Sequence, residues 1–579
     1  MLAADVPVLL HNSTRGLLSL DDGRLDVLQL SSDGSPPKRL LSSPMRLVLR
    51  ARLAEDGIAG NGSNGSSAGT SVHGTPNGSS SGTPATPTTP PAATHARRLD
   101  LHALRQKTAN SHALHLTKIH VLVEPSHVAE AEAFVEAVMA AAYPLTTPFR
   151  KVLLLVNPVG GKGKAKSIVK ETVLPILEAA GCLIELQETK YRDHAEEIAK
   201  TMELKYDVIA TASGDGIICE VLNGLAERQD GKKALRTPIA PLPTGSACAC
   251  STNLFGIADT FNIALATLNV IKGQHLPIDL ASILLLPENK RRVSFLSIAV
   301  GMMVDLDFGT EHLRWMGDTR FIYGYVRGVV QSKNYKMRMR FDVTNTDKEA
   351  MAKAARDAAR ADMTPLKPGE RRDSHAVFQG PQTAPSSSKP VAGDDADDGP
   401  IPPHKPLEPN DSWVTIESTT DKRVRRASTS PPTTPNDKTA GWVNGSSLSY
   451  FYAGLMPWVS RDLNCWPVII PGSGEIDMVV QPVISRKEFI AAIDGAEHGD
   501  GYWNESQCYY KLRAFTVENL DKEGTKWFSL DGEQYAFNEF HVEVMPRAAT
   551  LLSLDGRFTH GLFVSGTNKK GKKNALPKA

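Results

Sequence analysis

The chain has 579 residues, of which 41% are hydrophobic and 22% charged, so it is long enough for two or three domains with substantial cores. Its formal net charge of +1 gives no reason to expect nucleic acid or another strongly charged partner. The 6 scattered cysteines suit a reducing compartment, and because the sequence has neither an apolar run of about 18 residues nor a secretory leader pattern, we expect a cytoplasmic chain.

Residues 1–117 are interpreted as an N-terminal extension. Strand-like pieces such as VPVLLHN and MRLVLRARL predict a small β module within it. Residues 57–96 consist almost entirely of Gly, Ser, Thr, Pro, Ala and Asn. We expect them to be disordered, because they bury too little apolar surface to offset chain entropy.

Residues 118–275 alternate strand-like and helix-like segments with short links, beginning with the strand KIHVLVEP and the helix AEAEAFVEAVMAAAY. The run KVLLLVNP (151–158) is continuously apolar, as expected for a strand buried on both faces. It is followed by an amphipathic helix over 165–181 that ends at glycine, with a bend expected at Pro175. With the strands LIELQET and YDVIATA, this alternation predicts an α/β domain built on a parallel sheet.

Residues 276–565 change character, since strand-like segments such as RRVSFLSIAVGM, YKMRMRFDV and EIDMVVQPV are now separated by turn residues. This pattern predicts a second, mainly β domain. An insert at 345–441 is rich in Ala, Asp, Pro, Ser and Lys, and we expect it to be disordered apart from a short isolated helix at 351–362. Residues 566–579 form a basic tail.

Two glycine loops follow strands of the predicted parallel sheet. In VNPVGGKGKAKS (156–167), glycines and a helix start can present N–H groups to an anion, with Lys162 and Lys164 adding charge. The alternative is a flexible surface turn with solvated lysines. In TASGDGIICEVLNG (211–224), Asp215 stands between two glycines where open α/β sheets bind ligands. The alternative there is an Asp-Gly turn chosen for its backbone conformation.

Together, NPxGGKGKA, SGDGxxxEVxNG and a later DGE resemble the diacylglycerol-kinase-like lipid kinases. The SGDG with EVLNG, and the segment at 294–324, are most similar to the sphingosine (long-chain-base) kinases of the fungal type. The resemblance covers about residues 150–343 and 441–565. It implies an α/β nucleotide domain and a C-terminal β-sandwich, with ATP and Mg²⁺ in the cleft between them.

The resemblance implies that Asp215 is the catalytic residue, which accepts the proton of the lipid's primary hydroxyl as that oxygen attacks the γ-phosphate. Asp531 and Glu533 are candidates for organising Mg²⁺. The Mg²⁺ would enter with ATP, and no residues are assigned as its direct ligands. The alternative for an isolated DGE is an ordinary hairpin turn. The implied nucleotide-binding residues are Asn157, Gly160, Gly161, Lys162, Gly163, Lys164, Thr189, Ser213, Gly214, Gly216, Glu220, Thr244, Gly245, Ser246, Arg314, Arg320, Asp531, Gly532 and Glu533.

Asp307, in VDLD, matches the carboxylate that the family uses for the cationic head of the long-chain base. Asp305 would share its face if this segment is a strand, so spacing does not choose between them and the choice rests on the resemblance. Ser297 and Phe321 match the polar and apolar lining of the lipid pocket, the alternative for Phe321 being simple core. Arg314 and Arg320 are six residues apart, so a turn at Gly317 is expected to redirect the chain, and solvated arginines are the alternative.

The sequence departs from the family pattern at several positions. Ala247 and Cys248 replace a glycine and an asparagine in the third glycine loop, which puts the strength of ATP binding in doubt. Cys219 replaces a histidine, and Val159 stands where a basic residue is common. None of these changes removes a candidate carboxylate or an anion-binding glycine loop, so we expect a divergent but active kinase.

Cys248 and Cys250 raise the alternative of a metal site, with Cys219 and His194 as further ligands. The spacing matches no zinc module, so we interpret the two cysteines as substitutions inside a nucleotide loop. In the insert, RVRRASTSPPTTP places Ser428 and Ser430 in contexts that suit regulatory protein kinases.

The resemblance therefore implies an ATP- and Mg²⁺-dependent kinase of the primary hydroxyl of a sphingoid base. It would take its lipid from intracellular or plasma membranes as a peripheral protein, through an apolar gate around 313–325, and would bind no nucleic acid. A diacylglycerol or ceramide kinase is one alternative, which Asp307 disfavours because those substrates lack a free amine. A catalytically weak, lipid-sensing pseudokinase is the other.

Overall fold

The computed structural model describes residues 5–10, 14–33, 35–54, 95–106, 111–160, 163–246, 248–310, 319–331, 333–363, 398–418, 447–491, 495–521 and 523–559. The chain divides into two compact units, the first comprising residues 1–109 and 115–144 and the second residues 110–114 and 145–579. The predicted disorder between 57 and 94 and the basic tail at 566–579 lie outside the described residues.

The first unit is an antiparallel sheet of seven strands in the order β4-β3-β2-β1-β7-β6-β5. The strands are β1 (Val6–Leu9), β2 (Arg15–Asp21), β3 (Arg24–Gln29), β4 (Lys38–Pro44), β5 (Val48–Leu53), β6 (Arg97–Gln106) and β7 (Leu114–Val123). Helix α1 (Val128–Ala142) follows and buries Ala131, Phe134 and Val138, which recur at helical spacing. The predicted small β module is therefore a complete sheet with its own helix.

The domain boundary predicted at residue 117 is wrong by a strand and a helix. The segments KIHVLVEP and AEAEAFVEAVMAAAY were assigned to the parallel α/β domain, but β7 is antiparallel to β1 and α1 packs on β5. The first unit thus ends at Pro144. Local sequence could not show this, because a strand followed by a helix has the same pattern in both kinds of sheet.

The second unit opens with four parallel strands in the order β11-β10-β8-β9. These are β8 (Lys151–Val156), β9 (Leu183–Glu188), β10 (Val208–Ser213) and β11 (Ile239–Pro243). The helices are α2 (Ala165–Ile168), α3 (Leu174–Ala180), α4 (His194–Thr201), α5 (Asp215–Ala226), α6 (Gly231–Ala234), α7 (Ala249–Phe255) and α8 (Ile263–Lys272). A π-helical turn at Val169–Val173 joins α2 to α3, since Pro175 lacks the N–H that would continue the α-helical ladder.

The remaining strands are β12 (Gln274–Leu286), β13 (Lys290–Ser294), β14 (Ser297–Gly301), β15 (Met337–Asn345), β16 (Val414–Ser418), β17 (Leu448–Gly454), β18 (Trp458–Ser460), β19 (Leu463–Asn464), β20 (Ile476–Pro482), β21 (Cys508–Asn519), β22 (Trp527–Leu530), β23 (Glu533–Ala536) and β24 (Glu539–Ser553). Helices α9 (Met302–Gly309), α10 (Thr319–Gln331), α11 (Lys348–Met363) and α12 (Arg486–Ala491) accompany them. Strand β24 pairs with β12, β21 and β11, so the parallel and the antiparallel strands belong to one hydrogen-bonded sheet. The predicted order, an α/β part followed by a mainly β part, is confirmed.

Two stretches of the insert at 345–441 are ordered, contrary to prediction. Helix α11 is not isolated, because it buries Met351 and Ala352 in the core of the β part, and Lys348 donates to the carbonyl oxygens of Asn504 and Gln507. Residues 398–418 are also ordered and end in β16, which pairs with β15. Residues 364–397 and 419–446 lie outside the described part. No helix among the described residues is long and apolar enough to span a membrane.

Candidate functional site

Three loops meet at the carboxyl ends of the adjacent parallel strands β8, β10 and β11. The N–H of Asn157, after β8, donates to the carbonyl oxygen of Ala212 at 3.1 Å, and the N–H of Thr244, after β11, donates to that of Ser213 at 3.2 Å. Thr189 follows β9 at the same edge, where it is buried and its N–H donates to Val156. This is the edge at which open α/β sheets bind ligands.

The second and third loops touch through glycines. A Cβ atom built on Gly245 would lie 2.5 Å from the Cα of Gly214, so only glycine allows this approach. The Sγ of Cys248 lies 3.8 Å from the carbonyl oxygen of Ser213 and 3.7 Å from that of Gly245. Cys248 therefore fills the junction between the two loops. Ala247 lies outside the described residues.

The carboxylate of Asp215 is buried at this junction. It accepts hydrogen bonds from the backbone N–H groups of Ala249 at 2.7 Å and Cys250 at 3.0 Å, where α7 begins. Burial raises the pKa of Asp215 to about 7, although both hydrogen bonds act in the opposite direction. A buried carboxyl group that titrates near neutrality is suited to accept a proton during catalysis.

The first loop is shaped by its asparagine and glycines. Asn157 Oδ1 accepts from the N–H of Val159 at 3.2 Å, and Gly163, at a φ of +68°, donates to Gly160 at 3.1 Å. Val159 is 83% exposed, so the departure from a basic residue costs no packing. Lys164 is exposed before α2, while Gly161 and Lys162 lie outside the described residues.

Asp531 and Gly532 form the turn of the hairpin between β22 and β23, both with positive φ. The Asp531 carboxylate is buried and accepts four hydrogen bonds, from the hydroxyl of Ser294 and from three consecutive N–H groups at Phe295, Leu296 and Ser297, at 2.6 to 3.1 Å. Its oxygens are thus committed to the connection between β13 and β14, which argues against Asp531 as a ligand of Mg²⁺.

Glu533 lies two residues after Asp531, and its side chain is partly exposed whereas that of Asp531 is buried. It forms an ion pair with Arg192, and its Oε1 would lie 3.9 Å from a Cβ atom on Gly216. The second glycine loop therefore faces Glu533, so two parts of the second unit that are far apart in sequence lie close together. Arg192 could not be identified from the sequence, because an isolated arginine in a loop carries no signal of a site.

Glu220, which the resemblance implies as a nucleotide-binding residue, has a structural contact in the second unit. Its carboxylate accepts from the N–H of Ala195 at 3.0 Å and so caps α4, and burial raises its pKa to about 7. Two further residues of the EVLNG motif have structural contacts. Asn223 bonds both backbone groups of Val293, and a Cβ atom on Gly224 would overlap the carbonyl oxygen of Glu196 on α4.

Thr244 and Ser246 line the third loop. The hydroxyl of Thr244 is buried and has no hydrogen-bond partner among the described residues. Since unsatisfied buried hydroxyl groups are costly, this oxygen is available to a ligand at the junction of the loops. Together with the glycine-rich N–H groups around it, this orphan hydroxyl fits a bound nucleotide. The described residues contain no cluster of three metal-ligating side chains.

Asp305 and Asp307, the two candidates for recognising the head of the base, lie on a helix and not on a strand. On α9, residues 305 and 307 are rotated by about 200° from each other, so they do not share a face. Asp305 forms an ion pair with Lys333 at 2.7 Å and accepts from the hydroxyl of Tyr335 at 2.8 Å.

Ser297 is buried at the start of β14. Arg320 and Phe321 begin α10, and Arg314 with the turn expected at Gly317 lies outside the described residues.

Comparison with known proteins shows what this chain is similar to. Residues 151–283 match the diacylglycerol kinase catalytic domain. Sphingoid long chain base kinase 4 of Schizosaccharomyces pombe is 29% identical, with 74% of this chain and 80% of the relative covered. Sphingoid long chain base kinase 5 of Saccharomyces cerevisiae is 29% identical, over 76% of this chain and 64% of the relative. Sphingosine kinase 1 of Arabidopsis thaliana is 40% identical over 33% of this chain and 40% of its own length.

A solved diacylglycerol kinase from Bacillus anthracis is 17% identical, with a TM-score of 0.42 and with 70% of this chain and 98% of the other covered. The parallel sheet with its three glycine loops lies in the region that is similar to the diacylglycerol kinase catalytic domain. Over 74% and 76% of its length, the chain is similar to the sphingoid long chain base kinases of Schizosaccharomyces pombe and Saccharomyces cerevisiae.

Proposed function

We propose that this chain transfers the γ-phosphate of ATP to the primary hydroxyl of a sphingoid base. The observation that carries the proposal is Asp215, a buried carboxyl group with a pKa of about 7 at the junction of three glycine loops. In this role it accepts the hydroxyl proton, while the loops hold the phosphates in line with the attacking oxygen.

The purified full chain, incubated with labelled ATP and separate sphingoid-base, ceramide and diacylglycerol substrates, tests this function. We expect product from the sphingoid bases, and we expect Asp215→Asn to lower kcat by about 10²- to 10⁴-fold. Phosphorylation of ceramide or diacylglycerol in preference to the bases would contradict the substrate class. Full activity in Asp215→Asn would remove Asp215 from its role, and no product from any lipid would favour the pseudokinase.

Glu533 is the carboxylate that we expect to approach Mg²⁺ arriving with the nucleotide. Its side chain is 39% exposed, whereas the oxygens of Asp531 are occupied. Mg²⁺ supplies charge neutralisation at the phosphates when bound. Glu533→Gln should raise the KM for MgATP, and Asp33→Asn is the matched control because it removes an exposed carboxylate elsewhere.

Asp307 remains our proposal for the residue that recognises the amino group of the base. Asp305, its neighbour, is already engaged with Lys333 and Tyr335. Asp307→Asn should therefore raise the KM for sphingoid base more than Asp305→Asn does. A larger effect from Asp305→Asn would reverse the assignment. Ser297 and Phe321 remain proposed lining residues of the lipid pocket.

Helix α10 is the element that we expect to contact the membrane, as a peripheral protein of the cytoplasm. Three apolar side chains at helical spacing are exposed: Tyr323 at 51%, Val326 at 43% and Val330 at 55%. Lys333 and Arg486 lie beside this stripe, and Arg486 donates to the carbonyl oxygen of Val330 at 2.9 Å. Exposed apolar residues with cationic neighbours are typical of interfacial helices. Val326→Asp should weaken binding to anionic vesicles, and unchanged binding would contradict this.

Ser428 and Ser430 remain proposed sites for regulatory protein kinases, and both lie outside the described residues. Phosphate there would add negative charge to the insert between β16 and β17. Ser428→Glu should alter membrane binding or activity if the site is used. Unaltered activity and localisation would argue against it.

A further inference from the structure

The first unit has one outer surface whose charge is strongly one-sided. Strands β5, β6 and β7 contain six arginine and lysine residues and a single acidic residue, Asp100. The whole chain, by contrast, has a formal net charge of only +1. The question is whether these cations share a face or are scattered around the sheet.

The strand register places most of them together. Arg50 and Arg52 on β5 stand opposite His102 and Asp100 on β6. Arg98 precedes Asp100 by two residues and therefore lies on the same face, where it contacts the Asp100 carboxylate at 3.0 Å. Four of the six cations are on this face, the fourth being Lys118 of β7.

Strand β7 extends the same face. His120 contacts Asp100 Oδ1 at 2.5 Å and packs edge-on against His102, with ring centroids 6.3 Å apart. Since side chains two apart share a face, Lys118 and Leu122 flank His120 there. Leu122 is 45% exposed, and the side chain of Arg98 is 59% exposed.

We propose that this face, formed by Arg50, Arg52, Arg98 and Lys118 around Asp100 and bordered by Leu122, binds the surface of a membrane that contains anionic phospholipids. Among the described residues of β5, β6 and β7, one carboxylate lies beside four permanent cations on this face, so these strands give it a net positive charge that complements an anionic bilayer. An exposed leucine at the border favours a lipid surface over a nucleic acid, which offers no apolar phase. The inference is compatible with the proposed lipid substrate but uses a different unit of the chain.

Binding of the full chain to vesicles tests the proposal. The vesicles consist of phosphatidylcholine alone or with about one third phosphatidylserine, at low salt and without ATP or sphingoid base. Arg52→Gln, Arg98→Gln and Lys118→Gln combined should lower the partition coefficient on phosphatidylserine vesicles by about a hundredfold, or about fivefold per charge. Raised salt should weaken binding of the unmodified chain.

The matched control combines Lys290→Gln, Lys353→Gln and Lys526→Gln, which removes three exposed cations from the second unit. It should keep binding within about threefold of the unmodified chain, because those charges lie off the proposed face. Asp100→Asn should strengthen binding by about fivefold, because it removes the negative charge from the face, and raised salt should abolish this gain.

The proposal is overturned if the triple variant and the control lose binding equally, or if neither loses it. It is also overturned if the triple variant loses affinity for an oligonucleotide while vesicle binding is unchanged. Repeating the vesicle assay in Asp215→Asn separates this surface from the kinase proposal, since binding should persist in a chain that makes no product. Loss of kinase function with intact vesicle binding, or the reverse, then identifies which proposal has failed.

Discussion

Two buried aspartates beside glycines, Asp215 and Asp531, lie in regions of the molecule that differ in how they use a carboxylate. Burial raises the pKa of both. Asp215 accepts two backbone hydrogen bonds at the junction of the second and third loops, and the buried hydroxyl of Thr244 on the third loop has no hydrogen-bond partner among the described residues. Asp531 instead accepts four hydrogen bonds that close the connection between two strands. A reactive carboxylate therefore differs from a structural one less in its burial than in whether its oxygens can still accept further hydrogen bonds.

The largest expected effect concerns the loop junction at which Asp215 lies. Gly245→Ala places a Cβ atom 2.5 Å from the Cα of Gly214, so the second and third loops must separate. Because a displacement of about 1 Å can cost a hundredfold in rate, we expect kcat/KM to fall by about a hundredfold or more. Gly501→Ala is the control, since its Cβ atom would meet nothing within 4 Å. Normal kinetics in Gly245→Ala would mean that the loops are not held as described.

Asp531→Ala should reduce stability more than any other single change at the two carboxylates. It leaves three buried N–H groups, at Phe295, Leu296 and Ser297, without their acceptor. We expect the free energy of unfolding to fall by roughly 3 to 5 kcal/mol in denaturant titration. Asp215→Asn, measured alongside, should lose much less. Equal losses would erase the distinction between the two regions.

The stability of Asp215→Asn should depend on pH in a characteristic way. The folded-state pKa of Asp215, about 7, lies above its ordinary value of 3.8, so the native chain holds a proton that the unfolded chain releases. This group therefore lowers stability progressively as pH rises from about 4 to about 7. The free energy of unfolding of Asp215→Asn, minus that of the unmodified chain, should therefore be larger at about pH 8 than at about pH 5. A stability difference that is the same at both pH values would contradict the raised pKa.

The smallest expected effect on stability is at the ion pair between Arg192 and Glu533. Both side chains are more than one third exposed, so Arg192→Gln should change the free energy of unfolding by less than about 1 kcal/mol. It should nevertheless alter the KM for MgATP, because the pair faces Gly216 of the second glycine loop. A Michaelis constant that is unchanged in both Arg192→Gln and Glu533→Gln would place this pair outside the nucleotide site.

Much of this organisation could be predicted from sequence, and the failures have physical causes. The parallel strands and their glycine loops carry local signals, because buried strands are continuously apolar and phosphate loops need glycine. The assignment of β7 and α1 depends on pairing with β1 and β5, which local patterns do not encode. The roles of Asp531 and Glu220 depend on which N–H groups reach them in three dimensions, and so remained invisible to motif spacing.

The order within the insert was missed for the same reason. Helix α11 is rich in alanine, and its burial depends on a surface formed by residues about 100 or more positions away. Spacing alone could not choose between Asp305 and Asp307 because a strand was assumed, so the choice of Asp307 rested on the resemblance. The helix at Met302–Gly309 separates their faces, and the contacts of Asp305 with Lys333 and Tyr335 leave Asp307 as the proposed partner of the base.

The pH dependence of kcat/KM for a sphingoid base tests the central claim, that Asp215 is the proton acceptor, most directly. Among the described residues, burial raises the pKa of both Asp215 and Glu220 to about 7, and Asp215 is the one of this pair that lies at the loop junction. We predict that kcat/KM falls as pH decreases through about 7 and that Glu220→Gln retains this limb. An acidic limb that begins only near pH 4, or one that disappears in Glu220→Gln, would contradict the account.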